Sequence, residues 1–263
     1  MIFVLNENLF GTVKIYITIV AALDFGDRER KFNHKAIIYH MSIREVEFIR
    51  TIFNQEKVDR AVVAVSGGID SSVALVLIVK ALGAENVYIL QLPYKNQGTE
   101  NSDLILDFVK IPLKNRVKIN IGKIVDGFGV KDRVRLGNIM ARVRMIYCFD
   151  LAKKLKALVV GTENKSEKLL GYYTRFGDEA ADIEPIIHLY KTEVRKLARE
   201  LEIPEEIIKQ KPTAGLWPGQ IDEGDLGFTY KEADQVLRGK KQNIKVQQRL
   251  KQVDFKKRVP YTL

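Results

Sequence analysis

Two rhythms of apolar and polar positions alternate along this chain. Short, nearly continuous apolar runs occupy 61–65 (AVVAV), 87–92 (VYILQL) and 157–161 (ALVVG), and 117–121 (VKINI) alternates apolar with polar. Their length and β-branched content predict strands. Between them, 70–82, 102–109, 137–156 and 191–201 carry apolar residues at three- and four-residue spacing, which predicts helices. Residues 183–187 are the candidate fifth strand, and Pro204 opens a short helix over 205–209 as its first-turn proline. Strands alternating with helices predict an α/β fold, a doubly wound parallel sheet of about five strands with a Rossmann-like arrangement. Ligands of such sheets bind beyond the carboxyl ends of the strands.

Residues 1–40 read differently. They place β-rich apolar stretches at 13–20 and 36–39 around a charged turn at 24–31, whereas Met41 opens an amphipathic helix with Ile43, Val46, Phe48, Ile49, Ile52 and Phe53 on its apolar side. We therefore expect a domain over 41–263, preceded either by an accessory segment or by upstream sequence from a misplaced start. The longest apolar stretch, 10–23, contains Lys14 and is shorter than the roughly 20 residues a membrane helix needs. No basic leader precedes it, so we expect a cytoplasmic protein without a membrane partner.

Composition narrows the chemistry. Cys148 is the single cysteine, which excludes a disulfide framework, Cys-rich zinc sites and CxxC redox chemistry. The net charge of +10 favours anionic ligands, and 238–258 holds nine basic residues against one acidic. That tail reads as a nucleic-acid grip, a site for a phosphate-bearing small ligand, or a solvated basic helix.

Directly after the first strand come Ser66-Gly67-Gly68-Ile69-Asp70-Ser71-Ser72 and then a helix. Two glycines let the backbone turn sharply toward an anion, and the N–H groups at the helix start point at it. The string is neither a Walker A loop nor GxGxxG. Asp70 in the same turn would repel bound phosphate unless Mg2+ lay between them. The plainer alternative is a Gly-Gly turn with an aspartate capping the helix.

SGGxDS resembles the PP-motif of the N-type ATP pyrophosphatases, which cleave ATP between its α- and β-phosphates and activate an oxygen as an adenylate. Further strings narrow the family: Gly137-Asn138-Ile139-Met140-Ala141-Arg142-Val143-Arg144-Met145, Gly161-Thr162-Glu163-Asn164-Lys165-Ser166-Glu167, Gly171-Tyr172-Tyr173-Thr174-Arg175-Phe176-Gly177-Asp178, Pro212-Thr213-Ala214-Gly215-Leu216-Trp217, and Lys256-Lys257-Arg258-Val259-Pro260. In this order, from about Met41 to Pro260, they closely resemble the ammonia-dependent NAD+ synthetases. The resemblance implies an adenine nucleotide alpha hydrolase-like fold and a homodimer with the dinucleotide at the subunit boundary. The implied reaction adenylates the pyridine carboxylate of deamido-NAD with ATP and releases pyrophosphate; ammonia then displaces AMP, giving NAD+.

The resemblance assigns ATP to Ala64, Val65, Ser66, Gly67, Gly68, Ile69, Asp70, Ser71, Ser72, Thr162, Lys191 and Thr213. It assigns Mg2+ to Asp70 and Glu167, and deamido-NAD to Arg142, Arg175, Asp182, Phe255 and Lys256. The chemistry fits independently, because a triphosphate, a diphosphate and a carboxylate in one site need neutralising before an anionic oxygen can attack phosphorus. No side-chain nucleophile or general base is required; His34, His40 and His188 are not expected to be catalysts, and Cys148 is expected to be a buried apolar residue. Arg142 and Arg144 leave one helix on different sides, so at most one should face the site. Residues 211–227, rich in glycine and lacking periodicity, are either disordered or a functional lid, with Trp217 a lid aromatic or a core anchor.

Two positions depart from the family pattern. Arg175 stands where lysine is common, and Phe255 where histidine is common; a phenylalanine there can only pack or stack. No glutamine-hydrolysing module is expected, so ammonia arrives free or from another protein. Two competing functions remain: a PP-loop tRNA-modifying enzyme that adenylates a base, and a non-enzymatic nucleotide sensor. The lone cysteine and the scarcity of aromatics in the basic tail count against the first. The retention of Asp70, Glu167 and Lys191 together counts against the second.

Overall fold

The computed structural model describes residues 28–217 and 219–258, with side chains described from residue 42. The chain divides into two units, Met1–His40 and Met41–Leu263. Of the first, residues 28–40 are helical and belong to α1 (Arg28–Gln55). The β-rich expectation for 36–39 is thus overturned; that for 13–20 lies outside the described residues.

Four parallel strands form the sheet of the second unit, in the order β3-β2-β1-β4. In chain order come β1 (Ala61–Ala64), α2 (Ile69–Leu82), β2 (Val87–Gln91), α3 (Glu100–Phe108), β3 (Arg116–Lys118), α4 (Gly122–Asp126), α5 (Arg133–Leu155) and β4 (Leu158–Val160). Six helices follow: α6 (Lys165–Leu170), α7 (Lys191–Glu200), α8 (Glu205–Ile208), α9 (Asp222–Leu226), α10 (Tyr230–Leu237) and α11 (Ile244–Val253). The chain steps from β1 outward through β2 to β3, then returns through α5 to place β4 on the other side of β1. The strand order therefore reverses between β1 and β4, where an open α/β sheet leaves a crevice.

The period of two along each strand splits the core. Ala61, Val63 and Val65, with Val87, Ile89 and Val160, pack against Ile49 and Phe53 of α1, Leu77 and Ile78 of α2, and Val194 and Leu197 of α7. Val62, Leu90, Leu92 and Val159 face the other way, against Val125 of α4 and Met140, Val143 and Ala152 of α5. Two-sided burial explains why the strands read as apolar runs. A smaller cluster of Leu170, Phe228, Tyr230, Ala233 and Val246 joins α6, α10 and α11.

The expected fifth strand shrinks to one bridge, Val160 to Ile183. Pro185, two residues on, has no N–H to give a ladder. Among the described residues no helix is long and apolar enough to cross a membrane.

Candidate functional site

One cavity of about 960 Å³ opens where the strand order reverses, lined by residues after β1, after β4 and from the 211–222 segment. Gly67 has φ +83°, and a Cβ there would sit 2.5 Å from the backbone nitrogen of Ser102. The turn therefore requires glycine and lies against α3. Ser71 and Ser72 donate their hydroxyls to the carbonyl of Gly68 at 3.0 and 2.9 Å, and Ser66 Oγ accepts from the N–H of Gly68 at 3.2 Å. These bonds hold the turn so that the first N–H groups of α2, which have no partner within the helix, face the crevice. Ala64, Val65, Ser66, Gly68, Ile69, Asp70 and Ser71 line the cavity; Gly67 and Ser72 support it from behind.

Asp70 meets residues far along the chain. Nζ of Lys191, at the first position of α7, donates to Asp70 Oδ2 at 2.5 Å and to Glu167 Oε1 at 2.7 Å. Asn164 caps α6 through the N–H of Glu167 and donates its amide to Asp70 Oδ1 at 2.9 Å. Burial opposes the Lys191 ammonium, but Asp70 and Glu167 outweigh it and hold its pKa above the usual lysine value. Burial pushes Glu167 up, and Lys191 pulls it back. Thr162 and Thr213 also line the cavity.

Behind β4, Glu163 and Glu184 form a second acidic group. The carboxylate of Glu184 lies against Gly161, where a Cβ would sit 2.1 Å from Oε1, and its Oε2 accepts from the N–H of Glu163 at 3.2 Å. Both oxygens of Glu163 are buried without a hydrogen bond, with Lys168 Nζ 3.5 Å from Oε2. Burial raises both carboxyls to about 8.

The residues expected to meet the dinucleotide form a separate group. Arg142 is exposed and donates to the carbonyl of Arg175 at 3.2 Å. The Arg175 guanidinium stacks over Phe255 at 5.4 Å, and Lys256 donates to the carbonyls of Gly171 and Tyr173 at 2.7 and 2.6 Å. Asp182 stands apart, accepting from the N–H of Val159 at 2.7 Å. None of these five lines the cavity.

Of Arg142 and Arg144 on α5, Arg144 lines the cavity. His188 pairs with Glu45 of α1 at 2.7 Å, a bond that ties two elements together. Cys148 is buried and its thiol is raised by burial to about 12, far from nucleophilic. Trp217 lines the cavity and lies 5.1 Å under Arg133.

The 211–227 segment is hydrogen-bonded, not disordered, in its described residues. Asp222 accepts from the N–H of Ala214 at 2.8 Å and from the hydroxyls of Tyr172 and Tyr230 at 3.1 and 3.2 Å. Gln220 accepts from the N–H of Leu216 at 2.7 Å. Asp222 carries no motif that marks it, and only its burial reveals the role. The basic tail is likewise folded: Arg249 of α11 donates to the carbonyls of Leu170 and Gly171, and with Lys256 it satisfies the C-terminal end of α6.

Comparison with known proteins agrees with this geometry. The NAD synthase family matches residues 41–262. The NH3-dependent NAD+ synthetase of Fusobacterium nucleatum is 45% identical over 199 residues, 73% of this chain and 76% of that protein. Among solved structures, an NMN synthetase from Francisella tularensis superposes with TM-score 0.78 at 32% identity, over 86% of this chain and 96% of that one. An NH3-dependent NAD synthetase from Campylobacter jejuni superposes with TM-score 0.70 at 30% identity, over 86% and 98%. With the phosphate loop and the carboxylates around Lys191 at the strand reversal, and with this match along the second unit, the chain belongs to the NAD synthase family.

Proposed function

We propose that the chain amidates deamido-NAD with ammonia, using ATP, to give NAD+, AMP and pyrophosphate through an acyl-adenylate. The convergence of Asp70 and Glu167 on Lys191 beside the glycine turn carries this reading. A nucleotide-binding turn alone needs no such buried charge.

The roles follow from chemistry. The N–H groups at the start of α2 and Nζ of Lys191 take the polyphosphate, whose charge the helix N-terminus favours. Asp70 and Glu167 suit Mg2+, a hard cation that uses one or two carboxylates and completes its shell with phosphate oxygens and water. Among the described residues no group of three or more His, Cys, Asp or Glu could hold a metal alone, so the ion belongs with the nucleotide. When bound, Mg2+ would neutralise charge that develops on the leaving pyrophosphate. Ammonia attacks as the free base, and the 211–222 segment, held by Asp222, keeps water from the adenylate.

We assign Arg142, Arg175, Phe255 and Lys256 to the dinucleotide at a boundary between two copies. Val134 and Ile146 of α5, with Phe128 next to α4, are exposed apolar residues that a second copy would cover. We infer a cytoplasmic enzyme, which the absence of a membrane-crossing helix among the described residues is consistent with. The RNA-modifying alternative is not favoured, because Arg249 of the basic tail is engaged within the fold.

The test is turnover by purified protein with ATP, Mg2+, ammonium and either deamido-NAD or nicotinic acid mononucleotide, with a glutamine-only control. The mononucleotide arm answers the likeness to the NMN synthetase. We expect stoichiometric NAD+ and AMP that require ammonium and the dinucleotide. Preferential turnover of the mononucleotide, or no amide from folded protein, overturns the reading.

A further inference from the structure

Arg144 holds a cation for which the protein provides no close partner. It lies on α5 two residues after Arg142, a spacing of about 200° around a helix, so the two side chains point in opposite directions. The Arg144 side chain lines the cavity together with Asp70, Thr162 and Thr213. A guanidinium has five N–H donors and does not give up its proton. Nε donates to the carbonyl of Leu92 at 3.1 Å, and Nη2 to Oε1 of Gln97 at 3.0 Å. Among the described residues, Nη1 has no acceptor and no carboxylate lies within ion-pair distance. Asp178 influences the charge only from farther away, and one of its oxygens is already taken by the N–H of Thr174 at 2.7 Å. Lys191, in the same cavity, is balanced by two carboxylates. Lys95 and Lys211 also line the cavity, but both are exposed and Lys95 pairs with Asp126 at 3.0 Å; Arg144, on the α5 wall, is the partly buried cation that an anionic ligand would compensate.

We propose that Arg144 receives the carboxylate of the second substrate and thereby distinguishes deamido-NAD from NAD+. This rests on the function proposed above. A carboxylate matches the free edge of the guanidinium with two acceptors and a negative charge. A carboxamide offers one acceptor, no charge, and an NH2 turned toward N–H donors. Amidation thus abolishes the interaction that bound the substrate, and the product is released from the same group. The rest of the dinucleotide is identical in the two molecules, so other contacts cannot make this distinction.

Calorimetry on the full chain separates the sources of the anion. Wild-type protein is titrated with deamido-NAD, NAD+ and ATP–Mg2+, and Arg144→Met and Arg144→Lys with the same three. We expect wild-type protein to prefer deamido-NAD over NAD+ by about tenfold or more, the worth of a charged hydrogen bond. Arg144→Met should weaken deamido-NAD until the two dinucleotides bind within about threefold, leaving ATP unchanged. Arg144→Lys should keep part of the preference and serves if the methionine variant does not fold. Equal weakening of both dinucleotides by Arg144→Met or Arg144→Lys would assign the arginine to the diphosphate or to loop support, and weakening of ATP alone to the triphosphate. Either result, or a wild type without preference, overturns the proposal. Failure of wild-type protein to form NAD+ would instead overturn the function on which it rests.

Discussion

The two loops that flank the strand reversal are built by opposite means. After β1, residues 66–72 form a backbone cradle: small side chains hydrogen-bond their own turn, and the N–H groups of α2 are presented to the ligand. After β4, residues 161–167 act through side chains: Asn164, Glu167 and, from α7, Lys191 are held around Asp70. A cradle of N–H groups suits an anion whose position is set by the chain itself. A side-chain cluster can be neutralised and exchanged, which suits the nucleotide and metal proposed for it. The first loop should therefore be sensitive to backbone geometry and the second to charge.

The largest effect should come from the second loop. Lys191→Met leaves Asp70 and Glu167 together without their cation, and we expect a loss of about 3–5 kcal/mol in denaturant unfolding. Adding Glu167→Gln should recover part of it, giving a coupling energy of about 1–3 kcal/mol in the double-mutant cycle. Additive losses would mean that the pair is not coupled in solution.

Gly67→Ala attacks the first loop. With φ +83° and a backbone atom 2.5 Å from the new Cβ, the turn must shift. A loss of about 3 kcal/mol is expected, accompanied by weaker ATP binding. An alanine variant with unaltered stability and ATP affinity would contradict a cradle built on that conformation.

Glu163 and Glu184 tie the second loop to pH. Their folded pKa values, raised by burial to about 8, lie above the unfolded glutamate value, so the folded chain binds more protons between about pH 4.5 and 8. Stability should fall as pH rises through that range and level off above it. The melting temperature should be higher at pH 6 than at pH 8.5, by a difference on the order of 2 kcal/mol in stability. Glu163→Gln should remove about half of that difference, because Glu184 is raised mainly by its own burial.

The smallest effect concerns the outer group. The stacking of Arg175 on Phe255 is solvent-exposed and worth about 0.5–1 kcal/mol. A cycle of Arg175→Met and Phe255→Ala should show that coupling in stability, with a rise in KM for deamido-NAD that leaves KM for ATP unchanged.

Legibility in the sequence followed locality. The apolar run before Ser66, the glycine pair and the helix after it are contiguous, and all appear where the pattern predicts them. The segment 183–187 also carries three isoleucines, yet with Glu184 and Pro185 among them it makes one bridge. Residues 36–39 include the β-branched Ile37 and Ile38 but continue α1, because helix context outweighs a weak strand preference. Asp222 was missed because an aspartate in a glycine-rich segment looks solvated, and only Tyr172, Tyr230 and Ala214, brought to it in space, make it an anchor. The spacing of Arg142 and Arg144 allows at most one of them to face the site, and the packing of α5 against the sheet places Arg144 on the cavity.

By itself, the sequence determined the alternating architecture, the phosphate turn and the family, since each resides in short strings whose meaning depends on neighbours in the chain. The tertiary structure alone decided which groups meet: Asp70 with Lys191 across 121 residues, Glu163 with Glu184 across 21, Arg175 with Phe255, and Arg144 with Gln97 but, among the described residues, with no carboxylate at ion-pair distance. Electrostatic balance depends on distance in space and on burial, and neither is written along the chain.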